Sequence, residues 1–255
     1  MCLITFAFNH HADYPLLLAA NRDEFFARPT EPLHAWPEHP GLHAGRDLQA
    51  GGTWLGVYQP TGRIAALTNV RQIPAPPTTG PSRGQLVLDV LLDPRPLSEV
   101  LADLEPRKTE YQGFNLLLGD QQGLYCVSNH TPRAEPMAAG IHGLSNATLD
   151  VPWPKVRKAC ARMADWADRP GPVTELAALL LDPATAAPDE LPATGLSPEW
   201  EKALSAQFIQ LPEYGTRAST GLMIDRQGNL HLHEQTFDAE GRPGEANTVR
   251  LEGFW

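Results

Sequence analysis

Short apolar runs separated by turn residues recur along the chain, and most of them predict strands. Residues 2–8 and 16–22 are rich in Ile, Thr, Phe and Leu and flank a turn over 10–15, which predicts a β-hairpin. Residues 51–58 and 63–69 flank Pro60-Thr61-Gly62 and predict a second hairpin. Further strands are predicted over 114–118, 124–128, 141–146, 220–225, 230–236 and 248–253.

Apolar residues at helical spacing predict two pairs of helices between these groups of strands. The first pair spans 83–92 and 99–104, with Ser82 and Ser98 as N-caps. Pro154 begins the third helix, and the fourth spans 173–181. The apolar stripe of the third helix consists of Val156, Ala159, Cys160, Met163 and Ala167.

The order of the elements is strands, two helices, strands, two helices, strands. Strands grouped in hairpins favour antiparallel sheets covered by helices, so we predict the α+β class. A four-layer α-β-β-α sandwich of two mostly antiparallel sheets flanked by helices fits this order, as does a two-layer α+β fold. The Pro-rich segments 28–40, 74–81 and 182–198 predict loops, and none divides the chain, which predicts one domain over 1–255.

Composition and charge exclude several classes of function. The 255 residues are 42% hydrophobic and 20% charged, as in globular proteins, and 16 Arg against 4 Lys are typical of a GC-rich bacterial genome. The net charge of −10, without a basic cluster, predicts no nucleic-acid partner. No apolar run approaches the roughly 20 residues of a membrane span. Three cysteines without a CxxC motif, and no basic lead-in before 2–8, predict a cytoplasmic location; the oligomeric state stays open.

Cys2 is the residue most suggestive of catalysis. Removal of Met1 would leave a thiol beside a free α-amine, which titrates at about 7.7–8.0 and can act as its base. The alternative is a small residue that starts a buried strand. If the hairpin turn is centred near Ala12, paired residue numbers sum to about 24 and Cys2 faces Arg22; a slip by one residue brings Asp23 there.

Two asparagines and an arginine are further candidates. Asn69 and Asn146 each end an apolar strand, where a side-chain amide can stabilise an oxyanion or can simply form a turn. Arg217 precedes the late strands and could anchor an anionic substrate. The pair His231 and His233 has no further ligand at a recognisable spacing, so no metal site is predicted.

Several segments together resemble one known family. They are Asn21-Arg22-Asp23-Glu24 with its continuation to Thr30, Ala44-Gly45-Arg46-Asp47, Gly51-Gly52-Thr53-Trp54-Leu55-Gly56, Leu67-Thr68-Asn69-Val70-Arg71, Gly113-Phe114-Asn115-Leu116-Leu117, Leu144-Ser145-Asn146 with Trp153-Pro154-Lys155, and Gly215-Thr216-Arg217-Ala218-Ser219-Thr220. On these segments the chain is identified as a member of the NRDE family, which is related to the transport and Golgi organisation protein of eukaryotes.

The resemblance implies an N-terminal-nucleophile (Ntn) hydrolase relative, similar to cysteine amidohydrolases such as bile-salt hydrolase and penicillin V acylase. It implies that Cys2 is the nucleophile and that Arg22 or Asp23 orients it. Asn69 and Asn146 would serve the oxyanion and the amine, and Arg217 would complete the site. The other motif residues predicted to bind substrate are Asn21, Glu24, Arg28, Trp54 and Arg71.

Alternatives remain open at this point. The amidohydrolases place an Arg and an Asp three residues apart, whereas Arg22 and Asp23 are adjacent. Adjacent strand residues point to opposite faces, so either Asn21 and Asp23 face the thiol or Arg22 does, unless the strand has ended. We predict cleavage or transfer of an acyl group at a C–N bond of a small acyl substrate, with no metal or organic cofactor required.

Besides the hydrolase, two non-catalytic functions remain possible. Eukaryotic relatives have been tied to haem and lipid handling, which implies a carrier for haem or an acyl lipid on the same fold. A third possibility is an interaction domain in which residues 21–24 make only structural contacts.

Overall fold

The described residues form two antiparallel sheets and five α-helices. The structure, a computed structural model, describes residues 2–73 and 80–255. The strands are β1 (Cys2–Phe8), β2 (Leu16–Phe25), β3 (Thr30–Ala35), β4 (Leu42–Asp47), β5 (Leu55–Tyr58), β6 (Arg63–Asn69), β7 (Phe114–Asp120), β8 (Gly123–Ser128), β9 (Glu135–Pro136), β10 (Gly140–Leu144), β11 (Tyr214–Ile224), β12 (Leu230–Phe237) and β13 (Pro243–Leu251). The helices are α1 (Arg83–Leu92), α2 (Leu97–Arg107), α3 (Pro154–Ala167), α4 (Val173–Ala177) and α5 (Pro198–Ala203).

The first sheet has the strand order β10-β1-β2-β11-β12-β13, and the second has the order β3-β4-β5-β6-β7-β8-β9. Neighbouring strands pair antiparallel throughout. The two sheets lie face to face, because Phe6 and Leu18 of the first pack with Val57 and Leu117 of the second in one buried core.

Helices cover the outer face of each sheet. On the first sheet, Leu17 packs with Met163 of α3 and Leu176 of α4. On the second, residues of β6 and β7 pack with Leu91 of α1 and Leu104 of α2. The order of layers is therefore α-β-β-α, which confirms the predicted α+β sandwich and excludes the two-layer alternative.

Several predicted elements differ from the structure. The segment 28–40 is not a loop, because it contains β3; this edge strand accommodates Pro32, which has no N–H to donate to a ladder. Ser98 does not cap α2, which begins at Leu97. Strand β10 ends at Leu144, so Asn146 lies beyond it.

Other predicted elements also differ from those of the structure. Strand β4 and helix α5 lie outside every predicted strand and helix. Helix α4 ends at Ala177, within the predicted helix 173–181. Of the predicted loop 74–81, residues 74–79 fall outside the described residues. In the described part of the chain, no helix has the length and apolar content that crossing a bilayer requires.

Candidate active site

Cys2 stands at the first position of β1 and lines a cavity of about 400 Å³ between the ends of the two sheets. The β1–β2 pairing places Cys2 opposite Arg22, which is the register predicted from the hairpin. Burial raises the pKa of the Cys2 thiol, and the Asp23 carboxylate adds to that shift. Arg22 and a hydrogen bond from the backbone of Asp23 act in the opposite direction. A thiol with a raised pKa needs a base before it can attack a carbonyl.

Arg22 faces the space between the sheets and lines the same cavity. Its guanidinium lies 4.3 Å from the centre of the Trp54 ring, a cation–π contact, and the residue is 6% exposed. Its Nη1 atom is buried and has no hydrogen-bond partner among the described residues. A buried donor of this kind costs free energy unless a ligand accepts its hydrogen bond.

Asp23 also lines the cavity, although it follows Arg22 directly. As expected for adjacent strand residues, their side chains take opposite faces: Arg22 lies over Trp54 between the sheets, and the Asp23 carboxyl contacts Thr216. The β1–β2 pairing ends at Cys2 and Arg22, and the β2–β11 register shifts between Thr216 and Ala218, which leaves Arg217 as an extra residue in a β-bulge. The pairing with β1 thus ends at Arg22, and both residues line the cavity at this end of the strand.

Asp23 is held by neighbours on the helix-covered side of the first sheet. Its Oδ1 accepts a hydrogen bond from Thr216 Oγ1 (2.8 Å), and its backbone carbonyl accepts one from Tyr214 (3.0 Å). Burial raises the pKa of the Asp23 carboxyl, while Lys155 lowers it. Among the described side chains, the buried Lys155 makes the larger electrostatic contribution to this carboxyl and Arg22 a smaller one.

Lys155, in the first turn of α3, is a site residue that the sequence analysis missed. It is 2% exposed, and its Nζ lies 3.4 Å from Asn146 Oδ1. Burial lowers its pKa to about 8, against the opposing effect of Asp23 and Cys2. One signal was available: a cation in the first turn of a helix opposes the helix dipole and needs a compensating anion.

Asn69 and Asn146 occupy different positions. Asn69 ends β6 and lines the cavity, and its side-chain amide makes no hydrogen bond to another described residue, so it can donate to a bound oxyanion. Asn146 is buried behind it: its Nδ2 donates to the Asn69 carbonyl (2.9 Å), and its Oδ1 faces Lys155. Ser145 Oγ donates to the Cys2 carbonyl (3.0 Å). Asn146 thus positions Asn69 and lies outside the cavity lining.

Arg83 is a second missed residue, which enters the cavity wall from the first position of α1. Its Nη1 donates to the Gly113 carbonyl (2.9 Å), and burial lowers its pKa. Gly52 permits this placement, because a Cβ on residue 52 would collide with the backbone of Gly84, which follows Arg83 in the first turn of α1. Arg83, like Lys155, is a cation in the first turn of a helix.

Three of the residues predicted to bind substrate, Glu24, Arg28 and Trp54, line the cavity. The Arg28 guanidinium forms an ion pair with Asp47 in which Nη2 lies 2.6 Å from Oδ2 and Nε 3.1 Å from Oδ1. Glu24 accepts a hydrogen bond from the Phe25 backbone (2.9 Å). Arg28 is therefore already neutralised, unlike Arg22 and Arg83, which form no ion pair with a described carboxylate.

The other predicted residues lie outside this cavity lining. Asn21 is buried against the helical layer and donates to the carbonyls of Leu180 (3.0 Å) and Gln207 (2.8 Å). Arg71 pairs with Glu201 at 2.7 Å and stacks on Trp153.

Arg217 is the bulged residue of β11, and it donates to the carbonyls of Phe25 and Arg28 (both 3.0 Å). It therefore stabilises the turn that presents Arg28 to the cavity. Its side chain lines a second cavity, of about 270 Å³, on the other side of the Arg22–Trp54 pair.

Glu234 of β12 lies buried beside this second cavity. Its Oε1 accepts a hydrogen bond from the Leu33 backbone (2.7 Å). Burial raises its pKa to about 7, against the opposing effects of the Leu33 N–H and Arg22.

This shift predicts how stability depends on pH. The pKa of Glu234 is about 7 in the folded protein and 4.5 as the ordinary value, so folding favours the protonated carboxyl. The contribution of Glu234 to the stability of the fold is therefore complete below about pH 4.5 and is lost as the pH rises through about 7. We expect Glu234→Gln to raise the free energy of unfolding by about 2–3 kcal/mol at pH 8 and by little at pH 4. Urea denaturation at both values measures this. Glu245→Gln, an exposed carboxylate at the same cavity, serves as control, and an equal change at both pH values would contradict the prediction.

The site shows no metal centre: the described residues contain no group of three or more His, Cys, Asp or Glu positioned to hold an ion. The cavity offers few groups that could hold haem iron. No His is among its described lining residues, and Cys2 is the one residue among them of a type that commonly ligates haem iron.

Fold and site together define a four-layer sandwich protein with a cysteine at the first position of a non-edge strand and a cavity lined by several charged residues beside it. The family model described as "Transport and Golgi organisation 2" matches residues 1–239, and the chain belongs to this family. The bovine Transport and Golgi organization protein 2 homolog is 32% identical over 263 residues, which cover 92% of this chain and 93% of the bovine protein. The Drosophila melanogaster Transport and Golgi organization protein 2 is 28% identical, with 99% and 98% covered.

Among solved structures, the chain is similar to a Caenorhabditis elegans N-acylethanolamine-hydrolyzing acid amidase ortholog. The TM-score is 0.43 at 10% identity, and the match covers 87% of this chain and 92% of that one.

Proposed function

We propose that the protein is an N-terminal-cysteine hydrolase or acyltransferase that acts on the C–N bond of a small acyl substrate. The observation that supports this most directly is the position of Cys2 at the cavity, opposite Arg22 and together with Asp23 and Asn69. Removal of Met1 would give Cys2 the free α-amine that its raised thiol pKa requires as a base. The reaction needs no cofactor. Three free cysteines support a cytoplasmic location as part of the proposal.

The proposed reaction has two halves. The α-amine of Cys2 takes the thiol proton, and the thiolate attacks the carbonyl carbon while Asn69 donates to the oxyanion. The intermediate then expels the amine, which receives the proton from the Cys2 ammonium, and leaves a thioester on Cys2. The α-amine of Cys2 then deprotonates a water molecule, which attacks the thioester, releases a carboxylic acid and restores the thiol. Attack by an acceptor amine in place of water transfers the acyl group.

The substrate in this proposal has an anionic group. Arg22 and Arg83 line the cavity without an ion pair to a described carboxylate, and Arg22 also has a buried Nη1 without a hydrogen bond. A carboxylate on the substrate would accept these charge-assisted hydrogen bonds. Amides of amino acids with small acyl groups meet this requirement.

Trapping the acyl intermediate tests the reaction. We would incubate the protein lacking Met1 with N-acyl amino acids and neutral acyl amides, quench in acid and map the acyl group by peptide mass. The expected result is an acyl group on the N-terminal Cys2 peptide. Haem and acyl-lipid binding are titrated in parallel, and binding without consumption of any amide would favour the carrier and contradict the proposal.

Replacing Arg22 tests the anionic substrate. We expect Arg22→Gln to raise KM roughly tenfold to a hundredfold for amides with a carboxylate, because one charge-assisted interaction is lost, and to change KM less for neutral amides. Arg46→Gln is a matched control, since Arg46 also lies 4.3 Å over an indole, that of Trp36, away from the site. Equal effects of Arg22→Gln on both classes of amide would contradict anion recognition.

A further inference from the structure

A separate cavity of about 330 Å³ lies where α5 meets the ends of β2 and β11. Three aromatic residues line it: Phe25, Trp200 and Tyr214. Two glutamates, Glu199 and Glu213, complete its polar part, and the other lining residues are aliphatic. None of its described lining residues lines the Cys2 cavity.

The three rings are joined through Tyr214, which contacts each of the other two. Tyr214 pairs with Phe25 in the β2–β11 ladder, so both side chains lie on one face of the sheet, with ring centroids 5.1 Å apart at 76°. Trp200 of α5 lies 6.0 Å from Tyr214 at 66°. Tyr214 is buried, whereas Phe25 is 50% exposed and Trp200 40% exposed. No ring contact joins Phe25 to Trp200 in the described part of the chain, and both rings line the cavity beside Tyr214.

The charge of this cavity has one sign. Glu199 and Glu213 line it, no Lys or Arg is among its described lining residues, and neither glutamate forms an ion pair with a described residue. A cation over aromatic faces is attracted by the ring quadrupoles, and carboxylates at the rim add to the attraction.

We propose that this cavity binds a small N-methylated ammonium compound. Methyl groups around the nitrogen contact the rings of Phe25 and Trp200 as apolar surface, while the diffuse positive charge interacts with the ring faces and the two glutamates. A primary ammonium ion is strongly hydrated and would lose more on entering such a site. The Tyr214 hydroxyl also donates to the Asp23 carbonyl, but no described residue lines both cavities. Ligand binding here and turnover at Cys2 are measured separately, so each can fail without the other.

Choline and its neutral isostere 3,3-dimethyl-1-butanol provide the test, because they have nearly the same shape and differ in charge. Calorimetry and saturation-transfer NMR of the full chain should show saturable choline binding in the millimolar range. The isostere should bind roughly threefold to thirtyfold more weakly. Glu213→Gln should weaken the binding of choline and leave the isostere unchanged.

Variants locate the site. Trp200→Ala and Phe25→Ala, on different elements, should each reduce choline affinity, whereas Leu48→Ala, which removes a similarly exposed apolar side chain, should not. Equal affinity for the isostere, choline binding unchanged in both aromatic variants, or no saturable binding would overturn the proposal. So would binding to phosphatidylcholine vesicles without binding of free choline, since the ligand is proposed to be a free small molecule.

Discussion

Replacement of Cys2 by alanine is expected to reduce the turnover of acyl amides by a factor on the order of 10⁴ or more. The variant loses the nucleophile, and with it the thiol that carries the acyl group as a thioester. Cys2→Ser should be almost as inactive, since a hydroxyl is a far weaker nucleophile than a thiol at neutral pH. The measurement is steady-state release of the amine, with the variants confirmed to lack Met1.

Two other cysteines provide matched controls for this experiment. Cys126 is buried and Cys160 half-buried, and neither lines the cavity. Cys126→Ala and Cys160→Ala should therefore keep the rate of the unmodified protein. Full activity of Cys2→Ala would show that Cys2 is not the nucleophile.

Lys155 gives the second large effect, on stability as well as on rate. Lys155→Met removes the cation that compensates the buried Asp23 carboxyl, and we expect a loss of about 2–3 kcal/mol in the free energy of unfolding. Asp23→Asn in the same chain should restore part of this loss, because it removes the uncompensated charge. Urea denaturation of the two single variants and the double variant measures the coupling.

The rate should report the same lysine through its pKa of about 8. As the pH rises, deprotonation of the Cys2 α-amine at about 7.7–8.0 should raise the rate, and loss of the Lys155 cation beside Asp23 should lower it. We therefore expect a bell-shaped profile with an alkaline limb from Lys155. Lys155→Arg retains its charge and should keep the rate above pH 8. Lys158→Arg, on the same helix and paired with Asp182 at the surface, should leave the profile unchanged. An alkaline limb that persists in Lys155→Arg would exclude Lys155 as its origin.

The part of the site that could be predicted from the sequence is the part built by one hairpin. Strands β1 and β2 are joined by a short turn, so their apolar alternation and the turn position determine which residues face each other, and the Cys2–Arg22 pair follows. Asn69 is predictable because a polar residue after an apolar run marks the end of a strand, and the end of β6 lines the cavity.

The rest depends on contacts between distant segments. Lys155 and Arg83 come from helices on opposite outer layers, and only their unfavourable position in a first helical turn pointed to a buried anion or ligand. The position of Arg217 depends on a β-bulge, which removes it from the alternation that a sequence pattern assumes. Asn146 shares its local pattern with Asn69, but β10 ends before it, and its amide turns to the Asn69 carbonyl.

The central claim is that Cys2 becomes the N-terminal residue and supplies both thiol and base. The most direct test is the intact mass of the protein purified from its own cells, with the N-terminal peptide sequenced by mass spectrometry. The account predicts a chain shorter by the initiator methionine, with Cys2 first and its amine free. A chain that retains Met1 throughout would lack the proposed base and would contradict hydrolysis by this mechanism.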